Sequence, residues 1–189
     1  MTVHLRARRN PAYMYGFWKN KKIVLFDTLL SQATPDQIVA VLAHELGHWK
    51  HGHTMWMAIV AQAVTVAQFA AFSYVRNSVD LFRSFGFDIR EGEALPTLVG
   101  LMLFSQLLTP ISIPLTLVLN AVSRRFEYQA DAFAAGLGYG QDLRNGLITL
   151  QEENLSSGVV DPWYSWFKHS HPVLPERLAA IEDAEKKTQ

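Results

Sequence analysis

The stretch His44-Glu45-Leu46-Gly47-His48 has the pattern H-E-x-x-H and lies within a segment of strong helical periodicity. Residues four apart lie on one face of an α-helix, so the imidazoles of His44 and His48 can reach a single Zn²⁺ ion. Glu45 points near the open position of such a metal, where it can take a proton from zinc-bound water. The stretch therefore predicts two metal ligands and a general base. It favours a zinc-dependent hydrolase, and a peptidase above other hydrolases.

A catalytic zinc typically has three protein ligands, and two further histidines follow the motif closely. His51 lies on almost the same helical face as His44, but about 10 Å further along the axis of a straight helix, which is too far for one ion. His53 lies elsewhere on the predicted helix, and the metzincin pattern H-E-x-x-H-x-x-G-x-x-H fails at positions 51 and 54. We therefore interpret His51 as a polar residue flanking the motif.

The favoured third ligand is Glu127, in the helix-like stretch Arg124-Arg125-Phe126-Glu127-Tyr128-Gln129-Ala130-Asp131. Glu127 and Asp131 share a helical face, so Glu127 can bind the metal while Asp131 accepts the second ring N–H of a ligating histidine. Taken alone, the stretch is more typical of a solvated helix with an ordinary arginine–glutamate pair. The H-E-x-x-H motif by itself can arise by chance. Because both stretches occur in one chain, however, we favour Glu127 as a metal ligand over the solvated helix.

Two long stretches lack any charged residue, residues 55–75 and 94–123. Each exceeds the roughly 20 apolar residues that cross a bilayer, although glutamines and prolines within them leave a buried core helix as an alternative. Two antiparallel spans would return Glu127 to the side of the membrane where the H-E-x-x-H motif lies. The positive charges on either side are nearly even, so they do not decide the orientation.

The rest of the chain completes a mainly α prediction. Two strand-like runs within residues 13–26 indicate a small β-hairpin with its polar turn at residues 19–22. Thr34, Pro35 and Gln37 form a capping-box start for the helix that contains the motif. The predicted architecture is one catalytic domain over residues 1–189: a membrane-embedded, zincin-type helical core with two transmembrane helices and the hairpin.

The composition argues against nucleic-acid binding and excludes sites built from cysteine. The formal net charge is zero, which argues against nucleic-acid binding as a main role. The chain has no cysteine, so it can form neither disulfides nor a thiolate metal site.

Five stretches together form a specific signature: Ala12-Tyr13-Met14-Tyr15-Gly16-Phe17-Trp18-Lys19-Asn20-Lys21, Ile23-Val24-Leu25-Phe26-Asp27-Thr28-Leu29, Val41-Leu42-Ala43-His44-Glu45-Leu46-Gly47-His48-Trp49, Ser123-Arg124-Arg125-Phe126-Glu127-Tyr128-Gln129-Ala130-Asp131-Ala132 and Ser170-His171-Pro172. In them the chain resembles the C-terminal catalytic part of the type I CAAX prenyl proteases, integral-membrane zinc endopeptidases of eukaryotes. The resemblance runs from about residue 10 to residue 178.

The resemblance implies the same metal site as the motifs. His44, His48 and Glu127 would bind one Zn²⁺ per chain. Glu45 would be the general base, and Asp131 would support a ligand from outside the coordination sphere.

The resemblance also implies roles that the residues alone do not suggest. His171 would lie near the zinc and stabilise the oxyanion of the tetrahedral intermediate. Arg177 would support the site through an ion pair. Asn10, Ala12 and Tyr13 would lie beside the substrate backbone, as in strand addition to a sheet edge.

The substrate implied by the resemblance is a farnesylated protein ending in a CAAX box, from which the last three residues are removed. The protein would be a multi-pass protein of the endoplasmic-reticulum membrane, with its zinc site facing the cytosol. Members of that family are much longer and have further spans upstream. The chain is therefore expected to be a fragment of a longer multi-span protein, or to need a partner that supplies those spans.

Three alternatives remain. A bacterial heat-shock membrane metalloprotease, which degrades misfolded membrane proteins, would share the zinc site. An inactive membrane scaffold could derive from a protease fold, although the intact Glu45 speaks against that origin. A soluble, metal-binding helical protein is the third.

Overall fold

The computed structural model describes residues 12–17, 20–25, 27–90, 92–153 and 160–188. The chain is mainly α-helical with a two-stranded ribbon, which confirms the predicted fold class. It packs as two compact units, one formed by residues 1–53 with 119–189 and the other by residues 54–118. The single catalytic domain over residues 1–189 stays a prediction.

The described part of the chain contains two strands followed by helices. In order they are β1 Ala12–Phe17, β2 Asn20–Leu25, α1 Asp27–Gln32, α2 Pro35–His51, α3 His53–Val75, α4 Val79–Ser84, α5 Thr97–Ala134, a π-helical segment Ala135–Tyr139, α6 Gly140–Glu153, α7 Pro162–Lys168 and α8 Leu174–Thr188.

The predicted β-hairpin is present, but its turn is shorter than predicted. β1 and β2 pair antiparallel, and the ladder extends to the pair Phe17 and Asn20. Residues 20–22, which the sequence assigned to the turn, therefore belong to β2, and that part of the prediction is wrong. Lys22 is exposed, so the strand places this charge in solvent, where a lysine costs little.

Helix α2 begins as predicted and ends abruptly after the motif. The Thr34 hydroxyl accepts from the backbone N–H of Gln37, and the Gln37 side chain accepts from the backbone N–H of Thr34, which completes the capping box. Gly52 has φ +68°, a left-handed conformation that ends the helix and satisfies its last carbonyls. The prediction that His53 lies on the same helix as the motif is wrong, because α3 begins only after this break.

The core of the first unit lies where α1, α2, α6 and α8 meet the C-terminal end of α5. Small residues dominate on the buried face of α2, and larger aliphatic side chains from α1, α6 and α8 fill the space around it. The buried cluster consists of Leu29, Ala40, Val41, Ala43, Ala134, Ala135, Leu143, Leu150 and Ile181. This packing holds the first turns of the motif helix against the segment that contains Glu127.

The second unit contains most of the apolar sequence. Two helices are long and apolar enough to cross a membrane, His53–Val75 and the one that begins at Thr97. None of the apolar window of the first and 11% of that of the second is buried. A core helix of a soluble protein would bury such a window, so the exposure favours the membrane interpretation over the core-helix alternative. Helix α5 continues through Pro110 and Pro114.

Candidate metal centre

The structure brings His44, His48 and Glu127 together. One ligand atom from each of the three side chains lies within 4.8 Å of the other two, a group that could hold a metal ion. The two imidazole Nε2 atoms are 3.2 Å apart, Glu127 Oε2 is 3.6 Å from His44, and Glu127 Oε1 is 3.4 Å from His48. His44 and Glu127 are buried, and His48 is partly exposed. The two ring nitrogens and the carboxylate therefore converge on one point at the edge of the protein interior.

Asp131 contacts the far side of His44, as the helical spacing predicted. Its Oδ1 lies 2.8 Å from His44 Nδ1, and the residue is fully buried. A carboxylate only accepts, so His44 donates its Nδ1–H and leaves the Nε2 lone pair directed at the group. Arg177 binds the same carboxylate through Nε at 2.9 Å and Nη2 at 2.6 Å. This two-point ion pair compensates the charge of Asp131 in a buried setting.

Glu45 lies beside the group without belonging to it. Its side chain is half-buried, and burial raises its pKa despite the opposing influence of His44 and His48. A carboxylate with a raised pKa is a better proton acceptor near neutral pH than an exposed one. This is the chemistry that a general base requires.

His171 lies next to the group although it comes from a distant loop. Its Nδ1 is 3.1 Å from Glu127 Oε1, while two thirds of the side chain (67%) is exposed. The hydrogen bond to Glu127 raises the pKa of His171. Nδ1 of His171 thus contacts Glu127, while most of the ring is exposed to solvent.

The loop that contains His171 is held in place by buried polar contacts from α5. The buried Arg124 donates from Nη1 to the Ser165 hydroxyl at 3.1 Å and pairs through Nη2 with Glu176. Asn120 donates to the backbone carbonyl of Phe167 at 3.1 Å. Arg124 therefore contacts α7 and α8, the two helices on either side of the loop.

His53, for which the sequence predicted no role, lies near the group. It is buried, and its ring lies between His48 and Gln129. The signal was Gly52, a typical helix C-cap that turns the next residue back toward the motif. His51, in contrast, is exposed and outside the group, which agrees with its interpretation as a flanking residue.

Gly47 permits the close approach of α2 and α5 on which the whole group depends. A Cβ atom at this position would lie 2.9 Å from the Cα of Ala130 and 3.2 Å from the Cβ of Phe133. Both obstacles are close to the backbone and cannot rotate away. The second x of H-E-x-x-H is thus a packing position as well as a spacer.

Replacing Gly47 by alanine is expected to destabilise the protein by about 1–3 kcal/mol, because the added methyl group forces α2 away from α5. Thermal unfolding followed by circular dichroism in detergent would measure the lower melting temperature. Gly136→Ala is the matched control, since a Cβ there meets nothing within 4 Å. Equal melting temperatures for the two variants would contradict the packing role of Gly47.

The residues predicted to line the substrate are only partly described. Asn10 lies outside the described residues. The backbones of Ala12 and Tyr13 form the start of β1 and pair with Leu25 and Val24 of β2. Within the described part of the chain the sheet has two strands, so β1 has one edge to which no strand is paired.

The chain is similar to known proteins over nearly all of its length. The model of peptidase family M48 matches residues 1–185. The chain is 53% identical to the CAAX prenyl protease 1 homolog of Arabidopsis thaliana and 40% identical to CAAX prenyl protease 1 of Saccharomyces cerevisiae, over 97% and 96% of its own length. The crystal structure of S. mikatae Ste24p superposes with a TM-score of 0.82 at 41% identity over 94% of the chain.

The match covers only part of these proteins. The chain spans 42% of the Arabidopsis protein, 43% of the yeast protein and 44% of the S. mikatae structure. The resemblance to CAAX prenyl proteases, which the sequence motifs predicted, is confirmed over nearly all of this chain. Because the family model matches residues 1–185, the chain belongs to peptidase family M48.

Proposed function

We propose that this chain is the zinc-binding catalytic part of a membrane metalloendopeptidase that removes the C-terminal tripeptide from farnesylated CAAX proteins. The observation that supports it most directly is the convergence of His44, His48 and Glu127, with Glu45 beside them. The relatives named CAAX prenyl protease 1 supply the substrate class. They favour this function over a heat-shock-type protease, and the intact Glu45 favours it over an inactive scaffold.

The donor set fits zinc. For bonds of 2.0–2.1 Å, the donor atoms of a tetrahedral zinc site are about 3.3 Å apart. The Nε2 atoms of His44 and His48 are 3.2 Å apart, and each lies near one oxygen of Glu127, His44 at 3.6 Å from Oε2 and His48 at 3.4 Å from Oε1. Two neutral imidazoles and one carboxylate are also the ligand set of one class of zinc peptidase, which keeps a fourth position for the reaction. His44, His48 and Glu127 would therefore hold one zinc ion per chain.

Peptide hydrolysis follows from the residues around that ion. When bound, zinc would act as a Lewis acid that polarises the scissile carbonyl and makes water more acidic. The Glu45 carboxylate would take a proton from the attacking water and deliver it to the leaving amine. Arg177 and Asp131 would keep His44 in the orientation that directs Nε2 toward the ion.

Two further residue groups have proposed roles at the substrate. The ring nitrogen of His171 that does not contact Glu127 could donate to the developing oxyanion, since the ring is largely exposed beside the group. The free edge of β1, which includes Ala12 and Tyr13, offers backbone groups to an extended peptide. Asn10 would extend this edge, as the family resemblance implies.

The proposed location is the endoplasmic-reticulum membrane, with the zinc site facing the cytosol. The two apolar helices would span the bilayer. The prenyl chain of the substrate would hold it at the membrane surface. A zinc site that faces the cytosol would meet a substrate held at the cytosolic surface of the membrane.

The test is cleavage of a farnesylated CAAX peptide by the purified protein in detergent, with release of the tripeptide measured by mass spectrometry. We expect cleavage of the farnesylated peptide, much slower cleavage of the same peptide without the lipid, and loss of activity with a zinc chelator. Added zinc should restore the activity.

The alternatives predict other results in the same assay. Equal cleavage of an unfolded membrane protein and of both peptides would indicate a quality-control protease. Stoichiometric zinc without any cleavage would indicate a scaffold. Either result would overturn the proposed function.

A further inference from the structure

His53 is a buried histidine next to the candidate metal centre that is not itself a predicted ligand. It is 3% exposed, and its ring stacks on Phe126 with centroids 4.1 Å apart and planes 7° from parallel. Its Nδ1 is 3.0 Å from Nδ1 of His48, and its Nε2 is 3.0 Å from Oε1 of Gln129. Both ring nitrogens are thus engaged, and the stacking defines the plane of the ring.

The two hydrogen bonds of His53 have one consistent direction. The amide oxygen of Gln129 only accepts, so Nε2 of His53 donates to it. In a neutral imidazole the other nitrogen is then an acceptor. Nδ1 of His53 therefore accepts the Nδ1–H of His48, and the Nε2 of His48 has a free lone pair.

This direction matters because His48 could otherwise donate a hydrogen bond to another predicted ligand. With the hydrogen on Nε2, His48 would donate to the Nε2 of His44 at 3.2 Å or to Glu127 at 3.4 Å. The predicted ligands would then hydrogen-bond to one another, and no cation would be needed between them. With the hydrogen on Nδ1, the two bare nitrogens and a carboxylate oxygen face one another, and a positive ion between them relieves their repulsion.

We propose that His53 and Gln129 form a positioning relay that fixes the tautomer and orientation of His48 for metal binding. Asp131 performs the corresponding task for His44 with a carboxylate, and the relay performs it with a neutral ring and an amide. The inference rests on the proposed zinc site and extends it to two side chains outside the ligand set.

The backbone explains why His53 can reach His48. On a continuous helix, residues five apart point in directions about 140° different. The left-handed Gly52 interrupts the helix between them and turns His53 toward the motif. Phe126 and Gln129 flank Glu127 on α5, so the residues that hold the relay come from the same helix segment as the third ligand.

Two substitutions of His53 separate positioning from packing. His53→Phe keeps the aromatic stacking on Phe126 but offers no acceptor to His48, and it should weaken zinc binding about 10- to 100-fold. His53→Asn gives up the stacking but places an amide oxygen near the position of Nδ1, and it should recover most of the affinity. Competition with a chromophoric chelator measures the affinity without any substrate. The opposite order, with His53→Phe binding as tightly as the parent, would overturn the relay.

Gln129 provides an independent test of the hydrogen-bond direction. Gln129→Glu presents only acceptors and should retain zinc affinity, whereas Gln129→Met should weaken it and should not add to the effect of His53→Phe. The visible absorption of the cobalt-substituted protein should change in His53→Phe and not in Gln129→Glu. Weaker binding by Gln129→Glu than by Gln129→Met would overturn the proposed direction.

The affinity measurements also separate this inference from the proposed function. A parent protein that binds no zinc would overturn both. A parent that binds zinc but cleaves no farnesylated peptide would overturn the reaction alone, and the order of the His53 variants would still decide the relay. Equal zinc affinities across all the variants would overturn the relay alone.

Discussion

Replacing Glu45 by glutamine is expected to lower the rate of peptide cleavage about 100- to 10,000-fold while zinc remains bound. The amide has nearly the same shape as the carboxylate but cannot take a proton from water. Glu45 is not one of the three converging donors, so the metal should keep its ligands. The measurement pairs the rate of tripeptide release with the zinc content of the same sample by mass spectrometry.

The matched control is Glu152→Gln, which makes the same chemical change at an exposed position on α6. It should cleave at the parent rate. Cleavage by the Glu45 variant at the parent rate, with zinc bound, would show that another group accepts the proton.

The second large effect is expected from Glu127→Ala. This change removes one of the three donors, so zinc affinity should fall by more than the roughly 100-fold upper range for loss of an outer-shell partner. Cleavage should be lost with the metal. Chelator competition measures the affinity, and circular dichroism checks that the helical content is retained.

Glu152→Ala is the control for this variant, since it removes a carboxylate of the same type from the protein surface. A Glu127→Ala protein that binds zinc like the parent would remove this residue from the ligand set. His171, which contacts the same carboxylate, would then become the candidate third ligand.

The helical architecture could be predicted because its signals are local. The capping box at Thr34, the apolar run of residues 55–75 and the helix that includes Glu127 each depend on neighbouring residues, and each is found in the structure. The hairpin turn was misplaced because lysines tolerate both turns and exposed strands. The break at Gly52 was missed because a glycine within a helical pattern is a C-cap only in some contexts.

The parts of the candidate site that depend on the spacing of residues within one helix could be predicted from the sequence. The i, i+4 relation pairs His44 with His48, and it also pairs Glu127 with Asp131. The positions of His171 and Arg177 came from the family resemblance, because nothing in a loop histidine or a helix arginine indicates a distant partner. His53 was set aside, because its role depends on a turn in the backbone and on Gln129, which is 76 residues away.

The sequence by itself determined the helices, the apolar spans and the chemical identity of the donors, because periodicity and residue type are properties of short segments. Only the tertiary structure decided that the two segments meet at Gly47, where the absence of a side chain lets α2 approach Ala130. It also decided which nitrogen of each histidine faces the group, through Asp131 for one and His53 for the other. Such choices depend on contacts between residues far apart in the chain, and a hydrogen bond acts only over about 3 Å.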